Sequence, residues 1–338
     1  MVKFKRIIVK FIAVITIVIG LPVETKGQDF ILSQPYNNST IVAPSFAGLT
    51  NGGRVALAYR NQWPGLSQFN TYVTYIAAFD YFLHEFNSGI GALILNDVQA
   101  GGLVRSTEGA LQYNYRVQLG GRHGNVFFRP GVQVKFMHKS LDFSRFIFSE
   151  NIAVDGTILG NGTPFDVERE SYNKLDAAFS SLFYNKNFWA GFNIDHLIPT
   201  NVSFLNQNAK IPMRFSVMAG YNLIYQQSGW RNPYDDLVTF SVLLQNQGQF
   251  NQMDLGVAWT KSVFQVGAAF RGFLPVSTIT AHDAFIFSLG LNMEQFKVVY
   301  SYDVSLSPLH NVSAGSHEIS IQFFFNQKEP SPMSFFCR

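Results

Sequence analysis

The chain has little charge, a single cysteine and no long apolar stretch, and each shortage disfavours a class of protein. Lys, Arg, Asp and Glu make up 14% of the 338 residues, against about 25% in a typical soluble domain. The only cysteine, Cys337, rules out a disulfide within the chain. After residue 27 no apolar run reaches the length of a membrane-spanning helix. A soluble domain, a disulfide scaffold and a helical membrane protein are therefore all disfavoured.

The amino-terminal segment is organised like a cleaved signal peptide. An apolar run at 11–21 follows four basic residues, namely Lys3, Lys5, Arg6 and Lys10. Such a run suits a signal peptide but is too short to span a membrane as a helix. Small residues at Thr25 and Gly27 predict cleavage after Gly27, so we expect an exported mature chain that begins at Gln28.

Removal of that segment changes the charge balance. Five of the 25 basic residues and one of the 22 acidic residues lie in 1–27, which leaves a mature chain with a net charge near −1. The basic field that nucleic-acid binding demands is missing. We therefore expect no nucleic acid among the partners.

Aromatic residues are abundant, and apolar side chains alternate with polar ones. Aromatics make up 15% of the chain, with 34 Phe, yet the mean hydropathy is only +0.08. In 253–260, for example, Met253, Leu255, Val257 and Trp259 alternate with Asp254, Gly256, Ala258 and Thr260. This period is typical of strands that turn one face to lipid and the other to a polar interior. The pattern predicts an all-β transmembrane antiparallel β-barrel.

Turn signals between the alternating segments predict about fourteen strands. Their expected positions are 54–60, 71–84, 88–98, 103–119, 125–138, 176–184, 188–194, 212–224, 236–244, 250–259, 264–273, 284–293, 296–304 and 316–325. Short connections alternate with longer ones, which is the outer-membrane pattern of periplasmic turns opposite external loops. The even number predicts that the N- and C-termini are both periplasmic.

The predicted organisation has four parts. These are a signal peptide (1–27), a periplasmic or plug-like amino-terminal segment (28–53), the transmembrane barrel (54–325) and a periplasmic carboxy-terminal tail (326–338). The expected location is the outer membrane, with membrane lipid around the barrel.

The longest predicted loop, 139–175, is a candidate partner loop. It carries Phe143, Phe146 and Phe148, and loops of this length in compact folds are usually functional or disordered. Its aromatic side chains either fold back to cap the lumen or offer an apolar docking surface. The sequence leaves both interpretations open.

Within the predicted strands, charged residues occupy the same alternate positions (the same parity) as polar neighbours. This alternation predicts that they face the lumen. They are Arg116, Arg129, Lys135, Arg214, Arg271, Lys297, Asp303 and Glu318. On the lipid face each charge would cost roughly 2–4 kcal/mol at mid-bilayer. They line a polar passage or docking cavity, or they cross-link a plugged barrel by ion pairs.

A compact motif joins the first predicted strand to its turn, with the sequence Tyr59, Arg60, Asn61, Gln62, Trp63, Pro64 and Gly65. We expect Pro64 to restrict φ, Gly65 to tolerate the left-handed conformation and Trp63 to anchor the turn against the barrel rim. Arg60 is expected to hydrogen-bond loop carbonyls. Contact with a partner is the alternative role of this motif.

The sequence carries no recognisable catalytic, cofactor or metal motif. Its seven histidines lack metal-ligand spacing, and no nucleophile elbow or phosphate-binding loop is present. We predict a protein that is not an enzyme and has no cofactor. A hydrolase whose triad is assembled from separate strands is the third interpretation.

The chain resembles the PorP/SprF membrane proteins of the type IX secretion and gliding machinery. The resemblance is carried by Tyr59 to Trp63 and, in colinear order, by Ile31–Gln34, Ala43–Gly48, Gly89–Gly91, Asn96–Asp97, Ser140–Ser144, Phe188–Gly191, His196–Leu197 and His317–Glu318. It covers nearly the whole mature chain. Ala43 and Ser45 depart from the Asn and Ala of the family pattern.

This resemblance implies a non-enzymatic component that assists secretion or surface anchoring of large secreted proteins, including adhesins. Its implied partners are those secreted proteins and periplasmic or outer-membrane parts of the type IX machinery. Barrel architecture alone does not establish function. The alternative is a passive porin or a transporter of hydrophobic ligands.

Overall fold

The computed structural model is a barrel of antiparallel strands. It describes residues 29–66, 72–120, 125–143, 152–153, 170–204, 209–226, 236–273, 282–306 and 310–327. The predicted signal peptide and most of the predicted carboxy-terminal tail lie outside these residues.

Fifteen strands follow one another along the described chain. They are β1 (Gly53–Gln62), β2 (Tyr72–Leu83), β3 (Ser88–Gln99), β4 (Val104–Tyr115), β5 (Val117–Leu119), β6 (Val126–Leu141), β7 (Ser171–Tyr184), β8 (Phe188–Asp195), β9 (Arg214–Gln226), β10 (Asp236–Gln247), β11 (Phe250–Lys261), β12 (Phe264–Phe273), β13 (His282–Asn292), β14 (Phe296–Ser305) and β15 (Ser316–Phe325). Helices are short: α1 (Ser39–Val42), α2 (His310–Ser313) and four 3₁₀ turns at Pro44–Phe46, Pro64–Leu66, His84–Phe86 and Ala100–Gly102. Among the described residues no helix is both long and apolar enough to span a membrane.

The sheet closes on itself with fourteen strand positions. Apart from β4 and β5, each strand pairs with its neighbours in sequence, and β1 pairs with β15, with Gly53 opposite Phe325. Both β4 and β5 pair with β6, so they form one strand position that is interrupted at Arg116. The predicted fourteen-stranded antiparallel barrel is confirmed.

One strand begins earlier than the sequence predicts. β7 starts at Ser171, because Ser171–Leu175 pairs with Phe136–Ser140 of β6. The polar residues Asn173 and Lys174 favoured a loop, but Lys174 faces the interior and is buried. The loop predicted at 139–175 is therefore shorter at both ends and covers 142–170.

The two ends of the barrel differ. At the turn end, β1 begins, β15 ends and short connections such as Asn185–Asn187 and Ser262–Val263 join strands. At the loop end lie the longer connections 142–170, 196–213 and 306–315. This is the alternation of short and long connections that the sequence predicts.

The outer face of the wall is apolar. Leu111, Ile94 and Leu289 point outward with more than 60% of their surface exposed. Exposed charges among the described residues, such as Arg105 and Lys186, lie at strand ends or in turns. An apolar band bounded by polar ends fits a bilayer, in which an outward charge is costly.

The lumen contains a stretch of the chain's own amino-terminal part, residues 29–52, which we call the inner segment. Phe46 and Leu49 pack inside the barrel against Leu182, Trp189 and Met218 of β7, β8 and β9. The Trp189 ring makes edge contacts with Tyr36, at 4.7 Å between centroids, and with Phe46, at 6.3 Å. This apolar cluster holds the middle of the inner segment.

Candidate functional site

The inner segment is bound to the wall by hydrogen bonds on several sides of the lumen. The Ser33 amide donates to Glu318 of β15 at 2.7 Å. On the other side, the Ser45 amide donates to the Ser180 hydroxyl of β7 at 2.9 Å. The Asn114 side-chain amide donates to the Pro44 carbonyl at 2.8 Å. Wall side chains therefore satisfy backbone groups that an irregular chain cannot satisfy by itself.

The inner segment runs the length of the lumen. At one end, the Asp29 amide donates to Gln247, the last residue of β10, at 3.2 Å. At the other end, the Asn51 carbonyl contacts the ring of His84, in the turn after β2, at 2.9 Å. Asp29 thus lies at the loop end, opposite the end where β1 begins. The sequence analysis gave a plug-like segment as one of two alternatives for 28–53, but it put both termini on the periplasmic side and did not predict that the segment reaches the loop end.

Around Asp29 lies a group of eight charged or ionisable residues, here called the loop-end cluster. Its members come from the inner segment, β4, β6, β7, β8, β9 and the residue after β8, and they are Asp29, Glu108, Lys135, Lys174, Asp176, Asp195, His196 and Arg214. Asp29 pairs with Arg214 at 3.0 Å and with His196 at 2.8 Å. Four members are acidic and four are basic, so the cluster can balance its own charge.

The remaining contacts hold the basic members of the cluster in place. Arg214 donates to Asp195 at 2.9 Å, and Lys135 donates to the same carboxylate at 3.0 Å. Lys174 lies 3.0 Å from Asp176, which also contacts the His196 ring. Buried charges need this kind of pairing, because an isolated charge in a protein interior is very costly.

Electrostatics make His196 a cation at neutral pH. Burial alone would lower the pKa of its imidazole, but Asp29 and Asp176 raise that pKa to about 9. Burial alone would likewise raise the pKa of the Asp29 carboxyl, but Arg214 and His196 hold it well below its usual value. The ion pair between these two residues therefore exists across the neutral range.

The loop-end cluster has the donor atoms of a metal site, but cations of the protein already neutralise its carboxylates. Atoms of Asp176, Asp195 and His196 lie within 4.8 Å of one another. Lys174, Lys135 and Arg214 already supply positive charge to the two carboxylates. We therefore assign an ion-pair network. The sequence spacing did not reveal this contact, because Asp176 lies on β7 and His196 follows β8, 20 residues later.

A second group of ion pairs lies on β1, β11, β12, β14 and β15. Arg60 pairs with Asp303 at 3.0 Å and with Glu318 at 3.4 Å, and it also contacts the Ser33 hydroxyl. The prediction that Arg60 bonds loop carbonyls is therefore wrong, because its place on β1 turns it into the lumen. Arg271 pairs with Asp254 at 2.8 Å and donates to the Leu32 carbonyl.

Cations also hold the inner segment near the turn end. Arg129 donates to the Ala47 carbonyl at 2.8 Å. Arg54 pairs with Asp80 at 2.7 Å, and the same carboxylate accepts the Gly48 amide.

The predicted lumen charges can now be placed. Six are buried inside the barrel, namely Arg129, Lys135, Arg271, Lys297, Asp303 and Glu318. Arg214 is mostly buried at the loop end. Arg116 is half-buried at the turn end, where its guanidinium stacks on Phe82 at 4.2 Å.

Other interior charges were missed by the sequence analysis, although the same parity would have found them: Arg54, Asp80, Lys174, Asp176, Asp195 and Asp254.

The motif at Tyr59 to Gly65 lies at the loop end. Trp63 has the left-handed backbone, with φ of 55°, and its amide donates to the Gly315 carbonyl at 2.9 Å. Its ring meets Tyr72 edge-on at 5.7 Å. Trp63, and not Gly65, adopts the left-handed conformation in this turn. Gly65 lies against the end of α2, where an added Cβ would be 2.5 Å from the Val312 carbonyl oxygen.

Other motif residues lie on or beside β1. Tyr59 points outward and packs on Tyr75 at 5.3 Å, while Asn61 and Gln62 pair with the start of β15. Pro64 begins a 3₁₀ turn.

Of the candidate partner loop, the structure describes residues 139–143, 152–153 and 170–175. Phe143 packs edge-on against Phe204, in the connection after β8, at 6.4 Å. Phe146 and Phe148 lie outside the described residues. The choice between a cap and a docking surface therefore stays a prediction.

Comparison with known proteins identifies the family. The family model for the type IX secretion system membrane protein PorP/SprF matches residues 24–323. The chain belongs to the PorP/SprF family. No curated protein is similar enough to count as a match.

Solved structures similar to this PorP/SprF chain are outer-membrane barrels of low identity. They include the outer membrane protein Omp33 of Acinetobacter baumannii, with 9% identity and a TM-score of 0.44, covering 82% of this chain and 100% of that one. The CymD monoaromatic hydrocarbon channel has 10% identity and a TM-score of 0.43, covering 89% and 95%. The KdgM porin has 8% identity and a TM-score of 0.36, covering 81% and 99%. Scores this low carry no information about what this chain binds.

Family and architecture agree on the location. PorP/SprF proteins are type IX secretion system membrane proteins, and this member is a closed β-barrel with an apolar outer face. The chain is an outer-membrane protein of the type IX secretion system.

Proposed function

We propose that this PorP/SprF barrel is a non-catalytic component that assists secretion or surface anchoring of large secreted proteins, such as adhesins. It acts by protein–protein contact at its loop end, which faces the outside of the cell. Parts of the type IX machinery in the periplasm or outer membrane are its further partners, and lipid surrounds its wall. Both termini of the barrel proper, at the start of β1 and the end of β15, then face the periplasm.

The observation that carries this proposal is the occupied lumen. Residues 29–52 run through the barrel and are held by hydrogen bonds to buried wall residues, by the ion pairs of Asp29 and by the Trp189 cluster. A cavity of about 80 Å³ lies beside Tyr36, against β10–β13, which is space for a few water molecules. A passive porin, the alternative function, needs a continuous aqueous path. An occupied lumen favours a function exercised at the surface.

Two loop-end features offer surfaces for a partner. The connection 142–170 is the longest, and functional residues concentrate in such loops on rigid scaffolds. The Trp63 turn and α2 pack together at the same end of the barrel. The barrel wall supplies the rigid support that a docking site needs.

Deletion of the gene tests the proposal directly. We expect one or a few large proteins to disappear from the cell surface, while outer-membrane permeability to small solutes stays unchanged. Changed solute uptake with an intact surface proteome would contradict the proposal and support the porin alternative.

A smaller change separates the loop from the barrel. Excision of 150–170 should leave an assembled, heat-modifiable barrel with the same secretion defect as the gene deletion. Normal secretion by that variant would remove the long loop from the proposed contact surface.

A further inference from the structure

The Asp29 carboxylate sits in a site made by two cations. A single oxygen, Oδ2, accepts from Arg214 Nη1 at 3.0 Å and from His196 Nε2 at 2.8 Å. The Asp29 side chain is 20% exposed, so this site opens to the loop-end mouth. Charge-assisted hydrogen bonds of this kind are the usual means of holding a carboxylate.

The two cations are held by the wall and not by Asp29 alone. Arg214 is fixed by Asp195 at 2.9 Å, and His196 is fixed by Asp176 through its other ring nitrogen. Both cations would therefore keep their positions if Asp29 moved away. A preorganised, partly buried pair of cations without its anion is costly, so the site would accept another carboxylate.

Residues 29–31 are half-buried, whereas most of the inner segment from Leu32 onward is buried. Cavities of about 20 and 30 Å³ lie along residues 29–35, against β9–β11. Leu32, Ser33 and Gln34 are buried, and Arg271 and Glu318 bond them to the wall. The later part of the segment is anchored by fully buried Phe46 against Trp189. We call residues 29–31 the arm, because they can leave the wall while the hydrogen bonds from Leu32 onward stay in place.

We propose that Arg214 and His196 form a carboxylate-binding site that Asp29 fills in the resting barrel and that an acidic side chain of a bound protein takes over. The site lies at the mouth where the proposed function puts the secreted partner, and the inference rests on that proposal. Exchange of one carboxylate for another releases the arm without leaving a buried charge unpaired.

Chemical rescue tests the site in the full-length barrel in detergent. Asp29→Ala should lower the temperature at which the barrel loses its heat-modifiable form. Acetate should then restore that temperature by roughly 2–4 °C, whereas acetamide and chloride at the same concentration should not. Acetate should have no effect on the wild-type barrel, in which Asp29 occupies the site.

Two variants control this experiment. Asp97→Ala removes a buried carboxylate on β3 at the same end, whose described partners are the neutral side chains of Thr74 and Gln99. Acetate should not rescue it. The double variant Asp29→Ala, Arg214→Gln should also lose the rescue. Rescue by chloride or acetamide, or equal rescue of the double variant, would overturn the assignment of the site.

Displacement of the arm is tested with a peptide probe. In a Cys337→Ser background, Ile31→Cys places a thiol on the half-buried arm. A capped Gly-Asp-Gly tripeptide should speed its reaction with maleimide several-fold, while capped Gly-Asn-Gly should not. Equal rates with both peptides would overturn the exchange. These results do not depend on the gene deletion, so failure of the proposed function can be told apart from failure of this site.

Discussion

Truncation of Phe46 should release the inner segment while the barrel stays folded. Phe46 has no exposed surface, and its ring packs edge-on against Trp189 at 6.3 Å. Phe→Ala at such positions costs about 3–5 kcal/mol. Because β1–β15 pair without Phe46, that cost falls on the segment and not on the wall. The equilibrium between bound and released segment should shift by about 10²–10³ or more.

Trp189 reports the release. The chain has four tryptophans, so replacing Trp63, Trp230 and Trp259 by Phe leaves the buried indole as the only emitter. Phe46→Ala should shift its emission to the red and raise amide hydrogen exchange in 36–49. The barrel should keep its heat-modifiable migration.

Phe240→Ala is the matched control, because Phe240 lies on the lipid face of β10 and is half exposed. It removes the same atoms without touching the lumen. If Phe46→Ala leaves both emission and exchange unchanged, or if Phe240→Ala changes them equally, the Trp189 cluster does not hold the inner segment.

Two further predictions concern the loop end. Trp63→Ala should lower the free energy of unfolding in urea by about 1–2 kcal/mol, and secretion should fall only as the abundance of the barrel falls. Trp259→Ala is the lipid-facing control. A fully stable Trp63→Ala barrel without secretion would instead indicate that Trp63 contacts a partner. With Cys337 replaced, cysteines in 142–170 should react with an impermeant maleimide on intact cells and cysteines in Asn185–Asn187 should not; the reverse pattern would contradict the orientation.

The barrel could be predicted because its signal is local. Alternation within one strand decides which side chains face lipid, and a short turn decides where the next strand begins. The predicted borders of β3, β8 and β12 therefore agree with the structure to within one residue. β7 began too late in the prediction, because Lys174 was taken as a loop residue although its parity matches Asp176.

The inner segment could not be predicted in the same way. Its stretch has no period, and its partners are distant in sequence: Ser33 bonds Glu318, 285 residues away. The loop-end cluster could not be predicted for the same reason, because Asp29 and Arg214 come into contact only when the barrel closes. The alternation along the strand predicted that Arg214 faces inward, but it could not predict which carboxylate pairs with Arg214.

The arm should loosen at high pH, and the sign follows from His196. Its pKa is about 9 in the folded protein and about 6.5 in an unfolded chain. A raised pKa gives stability that is fully present below about pH 6.5 and is lost as the pH rises through 9. The rise corresponds to about 3 kcal/mol, of which Asp29 supplies only a share, because Asp176 stays in place when the arm leaves. The pKa of Asp29 is lowered, so the attraction that Asp29 supplies to the arm is lost only at acid pH.

Maleimide modification of Ile31→Cys in the Cys337→Ser barrel, corrected for the pH dependence of a free thiol, should therefore accelerate between pH 7 and 10. In His196→Gln the rate should be higher at pH 7 and should lose this dependence. An unchanged dependence in His196→Gln would mean that another group controls the arm.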